Sequence, residues 1–301
     1  MEDGRQGTIL RSMEQKRRSA DAMEPDAMEQ PQRDAREIMI TTIATLLAGI
    51  GHVAVGASSP IPAAGAMLAR HREPAMRISI LGSPRHNFFT NGSAELFDCA
   101  GQGRIGAFFL GGGQIDGEGN VNLVGAGDYP ASTVRWPGSF GSAYLYYVVP
   151  RVILFREEHS RRVFVPRVDF ISAAGASAPG VHRRGGPHAL LTPLALFDFD
   201  RTRHCFRLRS VHPGHTLEEV ADQTGFAFDR PDAVPTTAGA DSATRALLYG
   251  PVRDDLAAGY PAFAAALGAG ALGCGAPGAG APGSAAVGAA VGVAGAAGAR
   301  A

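Results

Sequence analysis

Gln114, Asp116, Asn120 and Asn122 stand close together in the run Gly-Gly-Gly-Gln-Ile-Asp-Gly-Glu-Gly-Asn-Val-Asn (residues 111–122), and the apolar residues 105–110 lead straight into it. Such an apolar run fits a strand buried on both faces of a parallel sheet. Gly111, Gly112 and Gly113 then let the backbone turn where a side chain would clash. Open α/β sheets gather ligands at strand ends of this kind, where amides and a carboxylate could orient a polar substrate. A second reading stands beside the first. The segment Asp116-Gly117-Glu118-Gly119-Asn120 also has the composition of a tight turn, in which Asp and Asn bond the backbone and Gly supplies positive φ.

Other residues bear on the chemistry. The Arg135 guanidinium suits an acid or a phosphate, since it binds oxyanions bidentately, and its alternative is an exposed loop arginine. Ser58 and Ser59 precede Pro60, either capping a helix or facing an anion at its amino terminus. His212 and His215 have metal-like spacing, but Pro213-Gly214 makes a turn and no further ligand clusters with them, so no metal site is expected. Gly138-Ser139-Phe140-Gly141 departs from the Gly-x-Ser-x-Gly nucleophile elbow. Lys16 is the only lysine, which removes a P-loop, a Schiff-base enzyme and a Ser-Lys hydrolase together.

These residues need a scaffold. Residues 38–47 have helical spacing, 52–56 read as a short buried strand and 61–70 as a helix entered through Pro60 and Pro62. A strand at 78–81, a helix at 93–100 and the strand at 105–110 continue the βαβ rhythm of a doubly wound, mostly parallel α/β sheet. Segments 148–155, 163–171, 190–199 and 205–211 predict further strands without intervening helices, a mixed or antiparallel β extension.

The chain has 301 residues, 45% of them hydrophobic, enough for a sizeable core. Its formal net charge of zero, from 28 basic and 28 acidic residues, argues against nucleic acid or an anionic membrane as partner. Cys99, Cys205 and Cys274 are odd in number and far apart, which fits a reducing, cytoplasmic setting. Residues 1–35 read as a disordered polar extension lacking the apolar core of a signal peptide, with several methionines as alternative starts. Residues 36–262 form the expected domain, and residues 263–301, almost all Ala, Gly, Pro and Val, a flexible tail.

The run at 111–122 resembles the signature of CoA-transferase superfamily β subunits, in which Gly-Gly-Ala-Gln-Ile-Asp-x-x-Gly-Asn-x-Asn follows a core strand. Residues 133–142 are similar to that family's Arg-x-x-Gly-Ser-Gly-Gly loop, with Phe140 where glycine is usual. Residues 161–172, 196–199, 212–214, 217–220 and 224–226 match later segments in order, so the resemblance covers roughly residues 38–258. It implies the sheet-with-helices fold shared by CoA-transferases and ribose-5-phosphate isomerases. It further implies an acyl-CoA thioester as substrate with no tightly bound cofactor, and an α subunit as partner in a heterodimer or heterotetramer. Gly111, Gly112, Gly113, Gln114, Asp116, Asn120, Asn122, Arg135, Gly138, Ser139 and Gly141 would then shape the cleft.

One departure bears on mechanism. The family's nucleophilic glutamate ends the second core strand, where this sequence aligns Leu81, with Gly82 and Ser83 next and Glu95 the nearest later carboxylate. The β-like subunits of steroid ring-opening acyl-CoA hydrolases also lack that glutamate, their carboxylate lying on the α subunit. Transfer of CoA between acids, ring-opening hydrolysis, and a non-catalytic scaffold for an α subunit therefore all stand.

Overall fold

The computed structural model describes residues 25–268, with side chains from residue 35 to residue 267. In chain order its first elements are α1 (Pro25–Leu46), β1 (His52–Val55), α2 (Pro60–Arg72), β2 (Arg77–Ile80), α3 (Gly92–Gly101) and β3 (Ala107–Leu110). Four two-residue strands follow, β4 (Gln114–Ile115), β5 (Val121–Asn122), β6 (Gly125–Ala126) and β7 (Val134–Arg135). Then come α4 (Ser142–Val148), β8 (Arg151–Phe155), β9 (Pro187–Leu191), β10 (Ala195–Asp200) and β11 (Cys205–Val211). The last described elements are α5 (Leu217–Gln223), α6 (Ser242–Leu247), α7 (Arg253–Leu256) and α8 (Pro261–Gly268).

Seven strands make one sheet in the order β2-β1-β3-β8-β9-β10-β11. The first five run parallel, and β10 and β11 add antiparallel to that edge. The expected doubly wound, mostly parallel sheet with a mixed extension is thus one continuous sheet. Alternation assigns its two faces. Val53, Val55, Ile78, Ile80, Ala107, Phe109 and Ile153 pack with α1 and α2, whereas Ala54, Phe108, Leu110, Val152 and Leu154 meet the layer holding Leu145, Phe164 and Phe197. Both layers are apolar, which is why these strands read as unbroken hydrophobic runs. Ser79 interrupts its run while fully buried, and His52 Nε2 satisfies it at 2.8 Å.

Helices α1 and α2 lie close because Gly65 has no side chain: a methyl there would stand 2.3 Å from Ile43 Cγ2 and 3.1 Å from Ile40 O. Gly65→Ala will lower stability by about 1–3 kcal/mol, the range for overpacking a tight core, readable as a shift in the urea midpoint. An unchanged midpoint would show that the two helices can part without loss.

Two expected strands are corrected. Residues 163–171 form no strand: Phe164 makes a single bridge to Ile115, and Pro166, which has no N–H to give a ladder, interrupts the run. Residues 190–199 split into β9 and β10 at Thr192-Pro193-Leu194. There the Thr192 hydroxyl accepts from Leu194 N (3.3 Å) and Ala195 N (3.1 Å), and the chain reverses into a hairpin. At the ends, the first helix begins at Pro25, within the segment read as a polar extension, and α8 carries the chain past the expected boundary at 262. Residues 1–24 and 269–301, with the rest of both expected extensions, lie outside the described residues.

The outer edge of β11 is covered by the segment that follows it. Leu208 N donates to Asp229 O (2.7 Å), Asp229 N to Phe206 O (2.9 Å), Val211 N to Pro235 O (3.0 Å) and Thr237 N to Val211 O (2.8 Å). Among the described residues no helix is long and apolar enough to cross a membrane.

Candidate functional site

The five parallel strands end along one edge, where Leu81, Gly56, Gly111, Arg156 and Thr192 are the first residues beyond β2, β1, β3, β8 and β9. Ligands of open α/β sheets bind along this edge. The glycine turn lies there, and the protein itself fills the space that its missing side chains leave. A Cβ on Gly111 would meet Phe155 O at 3.0 Å, on Gly112 Val121 Cγ1 at 2.4 Å, and on Gly113 the Trp136 ring at 2.2 Å. The triplet lets the indole of Trp136 and the β4–β5 hairpin close onto the strand end.

The polar residues of the signature are buried and engaged internally. Asn122 Nδ2 donates to Gln114 Oε1 (2.8 Å) and to Gly125 O (2.7 Å), while its Oδ1 accepts from Val124 N (2.9 Å) and Gly125 N (3.3 Å). Gln114 Nε2 donates to Asp169 Oδ2 (2.9 Å), and Gln114 Oε1 accepts from Asp169 N (3.0 Å). Asp116 Oδ1 accepts from Glu118 N and Asn120 N, and its Oδ2 from Asn120 Nδ2 (3.1 Å). Asn120 Oδ1 accepts from Gly175 N (3.0 Å). Together they brace a hairpin against the loop at 168–175, the turn-holding reading of their composition.

The hairpin also carries its tip away from the glycine turn. Gly119 rests on Pro187, the first residue of β9, and on Phe199 near the end of antiparallel β10, so the tip sits at the edge where the parallel strands begin. Asp116 and Asn120 do border an open cleft of about 680 Å³, shared with Glu118, Arg167, His204 and Cys205, but it lies at that other edge. In the sequence all four polar residues group with the glycines; the fold separates Asp116 and Asn120 from them.

The loop at 133–142 is exposed. Arg135 stacks over the Tyr129 ring at 5.7 Å, and Tyr129 lies 4.9 Å from Phe170. Gly138 has φ +98 with open space where a side chain would be. Ser139 O accepts from Ser142 N at 2.8 Å, starting α4. Phe140 has φ +45 and is 57% exposed, a left-handed conformation that explains why glycine suits the position. Its ring lies 5.8 Å from that of Phe97, which also occupies the place of any side chain on Gly141.

Leu81, at the aligned nucleophile position, is buried, and its N–H donates to Val55 O at 3.0 Å. Ser83 Oγ accepts from Arg85 N and His86 N, closing the turn after it. That loop is tied to α7 by Asp255, which pairs with Arg70 (3.1 Å), Arg85 (3.1 Å) and His86 (3.0 Å). Glu95 does not face the strand ends as a free acid. Its Oε2 accepts from Thr90 N (2.6 Å), Thr90 Oγ1 (3.0 Å) and Asn91 N (3.1 Å), and these bonds, led by the Asn91 amide, hold its carboxyl below the usual range.

Neither serine before α2 caps it: Ser59 Oγ donates to Ala57 O (3.3 Å) and Ser58 has φ +56. Prolines at 60 and 62 remove two of the first amides, so this helix start offers fewer free N–H groups than its position suggests. His212 and His215 bond different partners. His212 reaches Thr192 O (3.0 Å) and Thr237 Oγ1 (2.8 Å), and His215 reaches Glu219 (2.9 Å). His159 bridges Thr192 and Thr224 at 2.8 and 2.9 Å. Burial pushes His159 and His212 down to about 4, so both are neutral at pH 7. Among the described residues no group of His, Cys, Asp or Glu is placed to hold a metal.

Arg156, which no motif singled out, is a further cation at this edge. It follows the buried strand β8, and its backbone N–H donates to Leu191 O at 3.1 Å. An arginine directly after an apolar strand was the available signal.

A model of the family described as coenzyme A transferase matches residues 39–223. The chain is 34% identical over 142 residues to the B subunit of 3-oxoadipate CoA-transferase from Pseudomonas knackmussii, covering 45% of this chain and 54% of that protein. It is 31% identical over 133 residues to the B subunit of glutaconate CoA-transferase from Acidaminococcus fermentans, covering 42% and 49%. It is 32% identical over 136 residues to the cholesterol ring-cleaving hydrolase IpdB subunit of Rhodococcus jostii, covering 44% and 53%. The chain spans about half the length of the curated relatives it matches. Among solved structures, the decarboxylase AibA/AibB aligns with TM-score 0.62 and 25% identity, over 77% of this chain and 98% of that one. IpdAB of Rhodococcus jostii aligns with TM-score 0.63 and 25% identity, over 72% and 93%.

Proposed function

This chain belongs to the coenzyme A transferase family, and from that premise we propose that it is the β-like subunit of a heteromeric enzyme acting on acyl-CoA thioesters, moving CoA between carboxylic acids. The observation that carries the reading is the glycine turn at residues 111–113, set at the carboxyl edge of the parallel sheet where this fold class places ligands. An α subunit completes the enzyme, the CoA thioester is substrate and not a resident cofactor, and the few scattered cysteines suit the cytoplasm. In this reading the thioester lies at the strand end beyond Gly111, Gly112 and Gly113, whose own side-chain space Phe155, Val121 and Trp136 fill, and the loop bearing Arg135, Gly138, Ser139 and Gly141 borders it. Gln114 and Asn122 support it from below.

Leu81 favours a second reading. With Leu81 in place of a carboxylate, and Asp255 beside the following loop held by Arg70, Arg85 and His86, the acid that attacks or activates water comes from the partner, as ring-opening hydrolysis would require. Co-expression with the product of the adjacent reading frame tests both. A complex that transfers or hydrolyses acyl-CoA supports the proposal, and absence of a complex, or of any thioester activity in it, overturns it. Exchange of labelled CoA into acyl-CoA separates the two routes, because only a covalent acyl-enzyme catalyses it readily. Glu95→Gln in that complex will leave turnover unaltered, and a large loss would reassign Glu95 from helix capping to chemistry.

A further inference from the structure

We propose that the cavity between α1, the β10–β11 pair and the segment 235–244 binds a small polyol carrying one anionic group. The site stands apart from the thioester reading: it lies on the face of the sheet that α1 and α2 cover and requires neither CoA nor an α subunit. Its volume of about 360 Å³ suits a molecule of that size. Thr41 and Thr45 of α1, Arg72 at the end of α2, Arg209 and Ser210 of β11, and Asp241 line it.

The hydrogen-bond directions on one wall follow from a single carbonyl. Thr192 O can only accept, so His212 Nε2, 3.0 Å away, carries the ring proton. His212 is neutral at pH 7, because burial holds it at about 4, and its Nδ1 therefore accepts from Thr237 Oγ1 (2.8 Å). The one hydroxyl proton of Thr237 is spent there, so Ser210 donates to Thr237 Oγ1 (2.6 Å). Ser210 thus meets the cavity with oxygen lone pairs alone. The α1 wall is alike. Thr41 donates to Glu37 O (2.9 Å) and Thr45 to Thr41 O (3.1 Å), so each hydroxyl proton turns into the helix. These three oxygens call for donors, which the hydroxyls of a polyol supply.

The cations set the charge. Arg72 gives one nitrogen to the neutral hydroxyl of Thr244 (2.8 Å), and Arg209 reaches Asp198 only at 3.4 Å, a long contact between half-exposed groups. Asp241 is occupied as the cap of α6, accepting from Thr244 N at 2.7 Å. Two guanidiniums therefore keep donors for an oxyanion. An anion without hydroxyls would leave the acceptor wall unpaired, and a polyol without charge would leave the guanidiniums so.

Calorimetric titration of the full chain at fixed ionic strength tests the site, with glycerol 3-phosphate and glycerate as ligands and with glycerol and sulfate as their separate halves. At least one of the two ligands will bind with a millimolar or lower Kd, and each half about 10-fold more weakly or worse. R72Q and R209Q will each weaken that binding about 10- to 100-fold, the range of a charge-assisted bond. S210A will weaken it about 3- to 10-fold and leave sulfate unchanged. Should R72Q lower the urea midpoint, R209Q decides, since its arginine side chain is 48% exposed.

Sulfate binding as tightly as either ligand, or binding untouched by S210A, would reduce the site to a patch of surface charge and overturn the inference. Displacement of the ligand by free CoA would do the same, by giving the arginines to the CoA phosphates. So would the absence of binding by both ligands at millimolar concentrations in a chain with a normal urea midpoint. None of these results bears on thioester turnover by the assembled complex, so the two readings fail separately.

Discussion

Replacing Asn122 by alanine will destabilise the protein more than any substitution on the exposed loop at 133–142. Asn122 is fully buried, and its amide serves four protein groups: Gln114 Oε1, Gly125 O, Val124 N and Gly125 N. Alanine leaves them without that partner. Each buried polar group so orphaned costs about 1–3 kcal/mol, and because the four share one turn the sum will be nearer 3–5 kcal/mol. At roughly 2–4 °C per kcal/mol for a domain of this size, the melting temperature will fall by about 6–20 °C. Asn122→Asp will be worse above the carboxyl pKa, because it sets an anionic oxygen against Gly125 O and Gln114 Oε1. Arg135→Ala, on the exposed loop, serves as control. If Asn122→Ala melts like wild type, the signature does not brace the hairpin, and its polar residues must be assigned to a ligand.

Acidification gives the second large effect. His159 and His212 sit at about 4 in the folded chain against an ordinary 6.5, because burial penalises their charged forms. The unfolded chain therefore binds more protons between these values. The stability contributed by each neutral imidazole is fully present above pH 6.5 and is lost as the pH falls through about 4. A shift of that size corresponds to about 3 kcal/mol per histidine. His52, also lowered to about 4 by burial and then by Arg77, acts in the same direction but is more exposed and contributes less. Urea melts at pH 7.5, 5.5 and 4.5 will show a decline that is steepest over the second interval, before most carboxylates titrate. His212→Gln should flatten the curve. A profile level from 7.5 to 4.5 would mean that both imidazoles take up protons without strain.

The parallel core was legible because its strands are buried on both faces. Residues 53–55, 78–80 and 107–110 carry almost no polar interruption, and Ser79, the exception, is invisible as such until His52 is seen beside it. The strand expected at 163–171 was not legible, since Val163, Phe164 and Val168 are buried one by one against the hairpin and never paired in a ladder. The split at Thr192 turned on a single hydroxyl accepting two amides, which no apolar pattern records. The glycines do lie at the carboxyl edge of the sheet, directly after β3. The amides and Asp116 pointed there as well, and only three-dimensional contacts separate a residue that faces a ligand from one that holds its neighbour. Arg156 is hidden for the converse reason. Its Nε is buried without a hydrogen-bond partner among the described residues, which a sequence does not display.

The segment lying along β11 has a consequence for how these molecules can associate. Because residues 229–237 already occupy that flank of the sheet, the strand cannot serve as a template for β-augmentation by a second copy or an extended peptide. Self-association by strand addition, the route that most often leads open sheets towards fibres, is closed on this side. Any lasting assembly there must therefore be built from side-chain surfaces, whose chemistry can discriminate one partner from another.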